Sequence, residues 1–140
     1  MAIIIVVGVV IVALCGALLL IITLDPGPSP TDVAIAYESA WDHLDFETLW
    51  TLAGDELRDG LDRQEFVEAK RAAYEHQPGL RGLAEQVSVD AVTEGRNFAV
   101  VRTSVDLRDG GSAADALQLA KRGGRWLVVA YQLEPDAAGA

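Results

Sequence analysis

The sequence predicts an α+β fold: an N-terminal transmembrane helix, then three helices, then a curved antiparallel sheet of four strands. Three observations carry that prediction. Residues 2–24 form an uncharged, mostly aliphatic run. Between Val33 and Tyr74 apolar residues recur at spacings of three and four behind capping side chains. From Val87 onward apolar and polar residues alternate between glycine-containing turns. The expected division is a transmembrane anchor at 1–24, a linker at 25–30, an α+β domain at 31–134 and a flexible tail at 135–140.

As a helix, the 23 residues of the apolar run would span roughly 35 Å, enough for a hydrocarbon core of about 30 Å. A cleaved signal peptide would carry a basic start, a shorter apolar stretch and small residues before the cut. Here no Lys or Arg precedes the run, and Thr23-Leu24-Asp25 is a poor cleavage site. Cys15, the single cysteine, lies in mid-span behind Leu14, which excludes a lipoprotein signal and any intramolecular disulfide. Ala13 and Ala17 stand four apart and are the candidate seat for a partner helix. The first basic residue is Arg58, so the usual charge asymmetry is absent. A short N-terminus carrying only its amino group is most easily left inside. The expected location is therefore the cell membrane, single-pass, with the domain on the outer face.

Asp25-Pro26-Gly27-Pro28 ends the anchor sharply. Ser29-Pro30-Thr31-Asp32 has the form of a capping box with proline at the first helical position. Val33, Tyr37, Ala40, Trp41 and Leu44 then make one apolar face, ending near His43 or Leu44. Asp45 caps a shorter helix whose inward residues are Phe46, Leu49, Trp50 and Ala53, stopped at Gly54. Asp62 and Glu65 form a second capping box, with Leu61 and Phe66 as its staple. That third face is expected to run through Ala69, Ala73 and Tyr74, stopping before Pro78-Gly79.

The second half reads as a meander. Val87, Val89 and Ala91 alternate with Ser88 and Asp90. Glu94-Gly95-Arg96-Asn97 turns into a long strand, Phe98 to Arg108, with Ala99, Val101, Thr103, Val105 and Leu107 on one face. Asp109-Gly110-Gly111 leads into Ala113 to Lys121, with Leu117 and Leu119 on one side. Gly123-Gly124 makes the last hairpin before Arg125 to Leu133. Helices first and a meander afterwards place the helices on one face of the sheet.

Charge is uneven. Residues 25–68 hold twelve acids against Arg58 and Arg63, whereas nine acids balance nine bases from 69 to 140. An acidic surface argues against nucleic acid and against anionic headgroups as partners. His43 and His76 each fall at a helix C-terminus, where the dipole favours a cation. Without a spaced ligand pair they predict no metal site and no cofactor. No nucleophile elbow or phosphate-binding loop is present; the glycines mark turns.

This order of three helices and a curved sheet resembles the nuclear transport factor 2-like superfamily, the cystatin-like α+β cone. The residues that carry the resemblance are Tyr37 and Trp41 on helix 1, Asp45-Phe46-Glu47 opening helix 2, and Gly124-Arg125-Trp126-Leu127-Val128-Val129 in the last hairpin. It implies a conical pocket between helices and sheet. It also implies relatives that include ketosteroid isomerases and polyketide cyclases, beside modules that only bind or dimerise. Tyr37 matches the oxyanion-donating tyrosine of the isomerase-like members. Their catalytic base falls at about Leu61, between Asp59 and Asp62, and their second acid near Ala113, with Asp115 two residues on. With one position of three matched, no catalytic residue is assigned. Tyr37, Trp41, Trp50, Tyr74 and Asp59 are the candidate pocket-lining residues. Arg102, Ser104 and Asp106 are expected on the outer sheet face, where relatives dimerise.

The expected function is a membrane-anchored binding or assembly module, non-catalytic, as an accessory subunit of a membrane complex. Its expected partners are the bilayer through residues 2–24, and either a second copy through the sheet or a membrane protein. The alternative is a small-molecule binder, or an isomerase or lyase acting on a hydrophobic metabolite in the cone. An open cone holding Tyr37 and an inward carboxylate favours the alternative; a filled one excludes it.

Overall fold

Both capping boxes form. The Asp32 amide donates to Ser29 Oγ at 3.2 Å and the Ser29 amide donates back to Asp32 Oδ2 at 3.1 Å. The Glu65 amide donates to Asp62 Oδ1 at 2.9 Å, and the Asp62 amide to Glu65 Oε2 at 3.0 Å. Each satisfies two backbone donors that a helix start would otherwise leave open. In the computed structural model, which describes residues 27–134 apart from the Pro78 side chain, they begin α1 (Pro30–Asp42) and α3 (Arg63–Tyr74). Between them lies α2 (Phe46–Leu52), where the Thr48 amide donates to Asp45 Oδ1 at 3.1 Å. Pro30 thus belongs to the first helix and not to the linker. The expected anchor, with Ala13 and Ala17, and the expected tail lie outside the described residues. Among the described residues no helix is long and apolar enough to cross a membrane.

α1 stops in a Schellman motif. The Asp45 amide donates to the Ala40 carbonyl at 2.8 Å and the Leu44 amide to the Trp41 carbonyl at 3.1 Å. Leu44 takes the left-handed position, φ 52°, that glycine usually fills. Partial burial of its side chain against the core offsets the backbone strain.

Four strands follow: β1 (Ala84–Glu94), β2 (Phe98–Leu107), β3 (Ser112–Arg122) and β4 (Arg125–Glu134). They pair antiparallel in the order β1-β2-β3-β4. Gly123 and Gly124, at φ 58° and 76°, form the tight turn between β3 and β4, a conformation whose twist matches paired strands. All three helices contact one another or the sheet's inner face. Leu49 of α2, Val101 of β2, Leu117 and Leu119 of β3 and Val128 of β4 are fully buried there. Each such side chain contributes about 2 kcal/mol over its exposed state.

Two local expectations are corrected, and β4 adds a further shift of register. α3 buries Phe66 and Val67 and half-buries Lys70 and Tyr74, leaving Ala69 and Ala73 exposed. The longer side chains of the 66/70/74 stripe cover more apolar area than the alanines could. In β1 the register steps over Asp90, so Ala91 turns outward and Val92 pairs with Val101. In β4 the pairing runs from Gln118↔Ala130 to Leu119↔Val128, which leaves Val129 as an extra residue. Both are β-bulges, and each reverses the alternation beyond it.

Candidate functional site

One consequence of the Val129 bulge decides what lines the cone. Strict alternation from Trp126 and Val128 would bring Ala130 and Gln132 inward. With the extra residue Tyr131 pairs across from the fully buried Leu117 and lines the cavity beneath α1. The Tyr131 ring then meets Tyr37 of α1, centroids 5.9 Å apart.

The cavity has two lobes that share Trp41, Leu80, Leu83, Tyr131 and Leu133. The wider, about 660 Å³, adds Tyr37, Asp59, Phe66 and Lys70. The narrower, about 210 Å³, adds Glu38, Asp42, Val87 and Asp115. Leu80, Leu83 and Leu133 form an exposed apolar rim. The rim segment is tied to the end of α1. The Gly82 amide donates to the Asp42 carbonyl at 2.9 Å, the Ala84 amide to Asp42 Oδ1 at 2.8 Å, and Arg81 Nε to the His43 carbonyl at 3.1 Å.

Glu38 and Asp115 are the unusual groups, at 6% and 2% exposure. Glu38 stands four residues after the fully buried Ala34, so it faces the sheet. Thr103 Oγ1 donates to Glu38 Oε1 at 3.0 Å, and the Tyr131 hydroxyl approaches Oε2 at a long 3.5 Å. Thr103 pairs with Asp115 across β2 and β3, which brings the second carboxyl beside the first. Asp115 Oδ1 is buried, and apart from a proton shared with Glu38 no N–H or hydroxyl of the described residues donates to it. Among the described residues no Lys, Arg or His lines this lobe.

Two adjacent buried carboxyls cannot both ionise cheaply. Burial, then the hydrogen bond and charge of Asp115, push Glu38 up to about 8, against the smaller opposing pull of the Thr103 and Tyr131 hydroxyls. At neutral pH the pair therefore retains a proton that two separate carboxyls would have lost. Burial, then the charges of Glu38 and Asp115, raise the Tyr131 phenol. Burial foremost, with the charges of Glu38 and Asp59, also raises Tyr37. Both phenols stay protonated and can donate.

Of the sequence-predicted lining residues, Tyr37, Trp41 and Asp59 border the wider lobe. Asp59 sits at φ 58° and pairs with Lys70 at 3.5 Å. Trp50 and Tyr74 stand elsewhere. The Arg58 guanidinium covers the Trp50 ring at 3.8 Å. Tyr74 packs against Trp41 and Phe46, with both centroid separations 5.8 Å, and faces a separate surface recess with Arg71 and Arg81. His43 caps α1, its Nδ1 2.8 Å from the Ser39 carbonyl. On the outer face Arg102 pairs with Glu134 at 3.0 Å, and the Ser104 hydroxyl donates to Asp90. Sequence reading missed Glu38, Asp115 and Tyr131 as site residues. A second stripe at 34, 38 and 41 was the available signal for Glu38. Asp115 shares the parity of Leu117 and Leu119.

No protein-family model matches the chain, and no curated protein matches it significantly. Solved structures do. A SEC-C motif containing protein from Rhodopseudomonas palustris superposes with a TM-score of 0.54 at 21% identity, over 76% of this chain and 80% of its own. A nuclear transport factor 2-like protein of unknown function from Shewanella oneidensis gives 0.52 at 20%, over 76% and 100%. Another from Silicibacter pomeroyi gives 0.50 at 16%, over 74% and 92%. At such identities the likeness is one of fold.

Proposed function

From the nuclear transport factor 2-like fold that the chain shares with these proteins, we propose a single-pass, membrane-anchored, non-catalytic binding module whose cone takes up a small, largely apolar molecule. The observation that carries this reading is the open cone. Its wider lobe of about 660 Å³ falls in the usual range of ligand pockets, about 300–1,000 Å³, whereas a packed core leaves few voids larger than a water molecule. The rim leucines give an apolar molecule a continuous path inward. The non-catalytic part rests on Leu61, apolar where isomerase-like relatives carry their base. The tether rests on the uncharged run at residues 2–24, which restricts the module to ligands or partners close to a bilayer.

Calorimetric titration of the full chain in lipid nanodiscs with 2-phenylethanol, a small neutral probe, tests the cone. Saturable heat is expected, weakened in Leu57→Phe, which adds volume from a turn bordering the wider lobe. Absence of saturable heat, or heat indifferent to that variant, overturns the reading. For the tether, alkaline washing should leave the full chain in the membrane and release a variant lacking residues 1–24. Release of the full chain overturns it. A homodimer through the sheet or a membrane-protein partner would raise the mass of the particle recovered in mild detergent.

A further inference from the structure

The narrower lobe combines three features that its apolar surroundings do not explain. It holds two buried carboxyls that share one proton, and apart from that proton no N–H or hydroxyl of the described residues donates to Asp115 Oδ1. Two aromatic rings, Trp41 and Tyr131, share its wall. Among the described residues no cation lines it to balance the acids. A buried acceptor without a donor leaves a hydrogen bond unmade. Carboxylate beside aromatic faces is the surrounding that an ammonium group prefers, by ion pairing and by attraction to the ring quadrupole. We propose that the narrower lobe is the head-group subsite of the cone and takes a primary amine, whose ammonium donates to Asp115 Oδ1 and to the Glu38 carboxylate while its apolar body lies in the wider lobe.

This rests on the binding reading above and names the ligand class for it. The ammonium displaces the proton that the pair holds, so one proton leaves the protein as one cation enters. The groups facing the pair are Tyr37 and Asp42 from α1, the Thr103 hydroxyl from β2 and Tyr131 from β4; β1 contributes only Ala84 and Val87. Lys70 borders the wider lobe and is paired with Asp59. Since Glu38 titrates at about 8, amine binding strengthens from pH 6 to 8, up to about tenfold per unit. The amine itself stays protonated over that range.

The test is calorimetry on the full chain in nanodiscs with phenethylamine, 2-phenylethanol and phenylacetate at pH 6, 7 and 8. Expected is amine binding at least tenfold tighter than alcohol at pH 8, with a rising pH profile for the amine and a flat one for the alcohol. Glu38→Gln and Asp115→Asn should each abolish the amine preference. Equal affinities, preference for phenylacetate, a flat amine profile, or a preference that survives both variants overturns the inference while leaving the binding module standing. Failure of all three probes overturns both. The wild-type pH profile requires no variant, so a variant that misfolds does not remove the test.

Discussion

The Tyr131 hydroxyl stands 3.5 Å from Glu38 Oε2, a contact between a strand and a helix that depends on the β3–β4 ladder stepping over Val129. Glu38 is positioned by helical period and Tyr131 by a bulge. The site therefore joins two independent departures from the simplest amphipathic patterns, and Thr103 and Asp115 on the central strands complete it. Such a buried polar cluster is costly where its partners are incomplete.

That cost has a pH signature. The folded-state pKa of Glu38, at about 8, lies above its unfolded value, so between about pH 5 and 8 the folded chain retains a proton that the unfolded chain has lost. Stability is then greatest on the acid side and falls as pH rises, by up to about 1.4 kcal/mol per unit. Thermal denaturation from pH 5 to 9 should show the fall, and Glu38→Gln should flatten it. A wild-type profile already flat in that window would exclude the shared proton.

Thr103→Val tests the network from the sheet side. Its hydroxyl donates to Glu38 Oε1 at 3.0 Å and holds the carboxyl pKa down. Valine keeps the shape and removes the donor, so the folded-state pKa should rise and the pH at which the decline ends should move upward, while its onset at the unfolded pKa stays in place. Carbon-13 NMR of the Glu38 carboxyl should report the same rise directly.

The two capping boxes predict losses of a different kind. Ser29→Ala and Asp62→Ala each remove a side-chain acceptor at a helix start, and each should cost about 1 kcal/mol. Both effects should appear as lower urea midpoints with unchanged slope. The positions share no partner, so the double variant should lose close to the sum.

How much of this was legible from sequence follows from the range of each interaction. Ser29, Asp45 and Asp62 were readable as caps because each binds an amide three residues away. Val101, Leu117 and Leu119 were readable because a half-buried strand alternates. The bulges at Asp90 and Val129 were not, since a long-range register decides which residue is skipped. Tyr131 was lost with the second of them. Glu38 was lost for another reason: a charged residue on an amphipathic helix ordinarily faces water, and what covers it is contributed by strands 65 and 93 residues away.

The Val129 bulge gives the sharpest structural prediction. Tyr131→Phe removes only a hydroxyl at long range and should cost about 1 kcal/mol or less. Deleting Val129 removes the residue over which the β3–β4 ladder steps, so Val128 stays opposite Leu119 and Tyr131 opposite Leu117 in strict alternation. Both lobes keep their Tyr131 wall, and the Tyr131 approach to Glu38 and the 5.9 Å ring contact with Tyr37 should persist. The deletion should therefore cost no more than about 1–2 kcal/mol. Denaturant unfolding of the two variants in parallel measures both losses. A much larger loss for the deletion would mean that β4 has shifted its register, and amide hydrogen exchange along β3 and β4 would then show the displaced pairing.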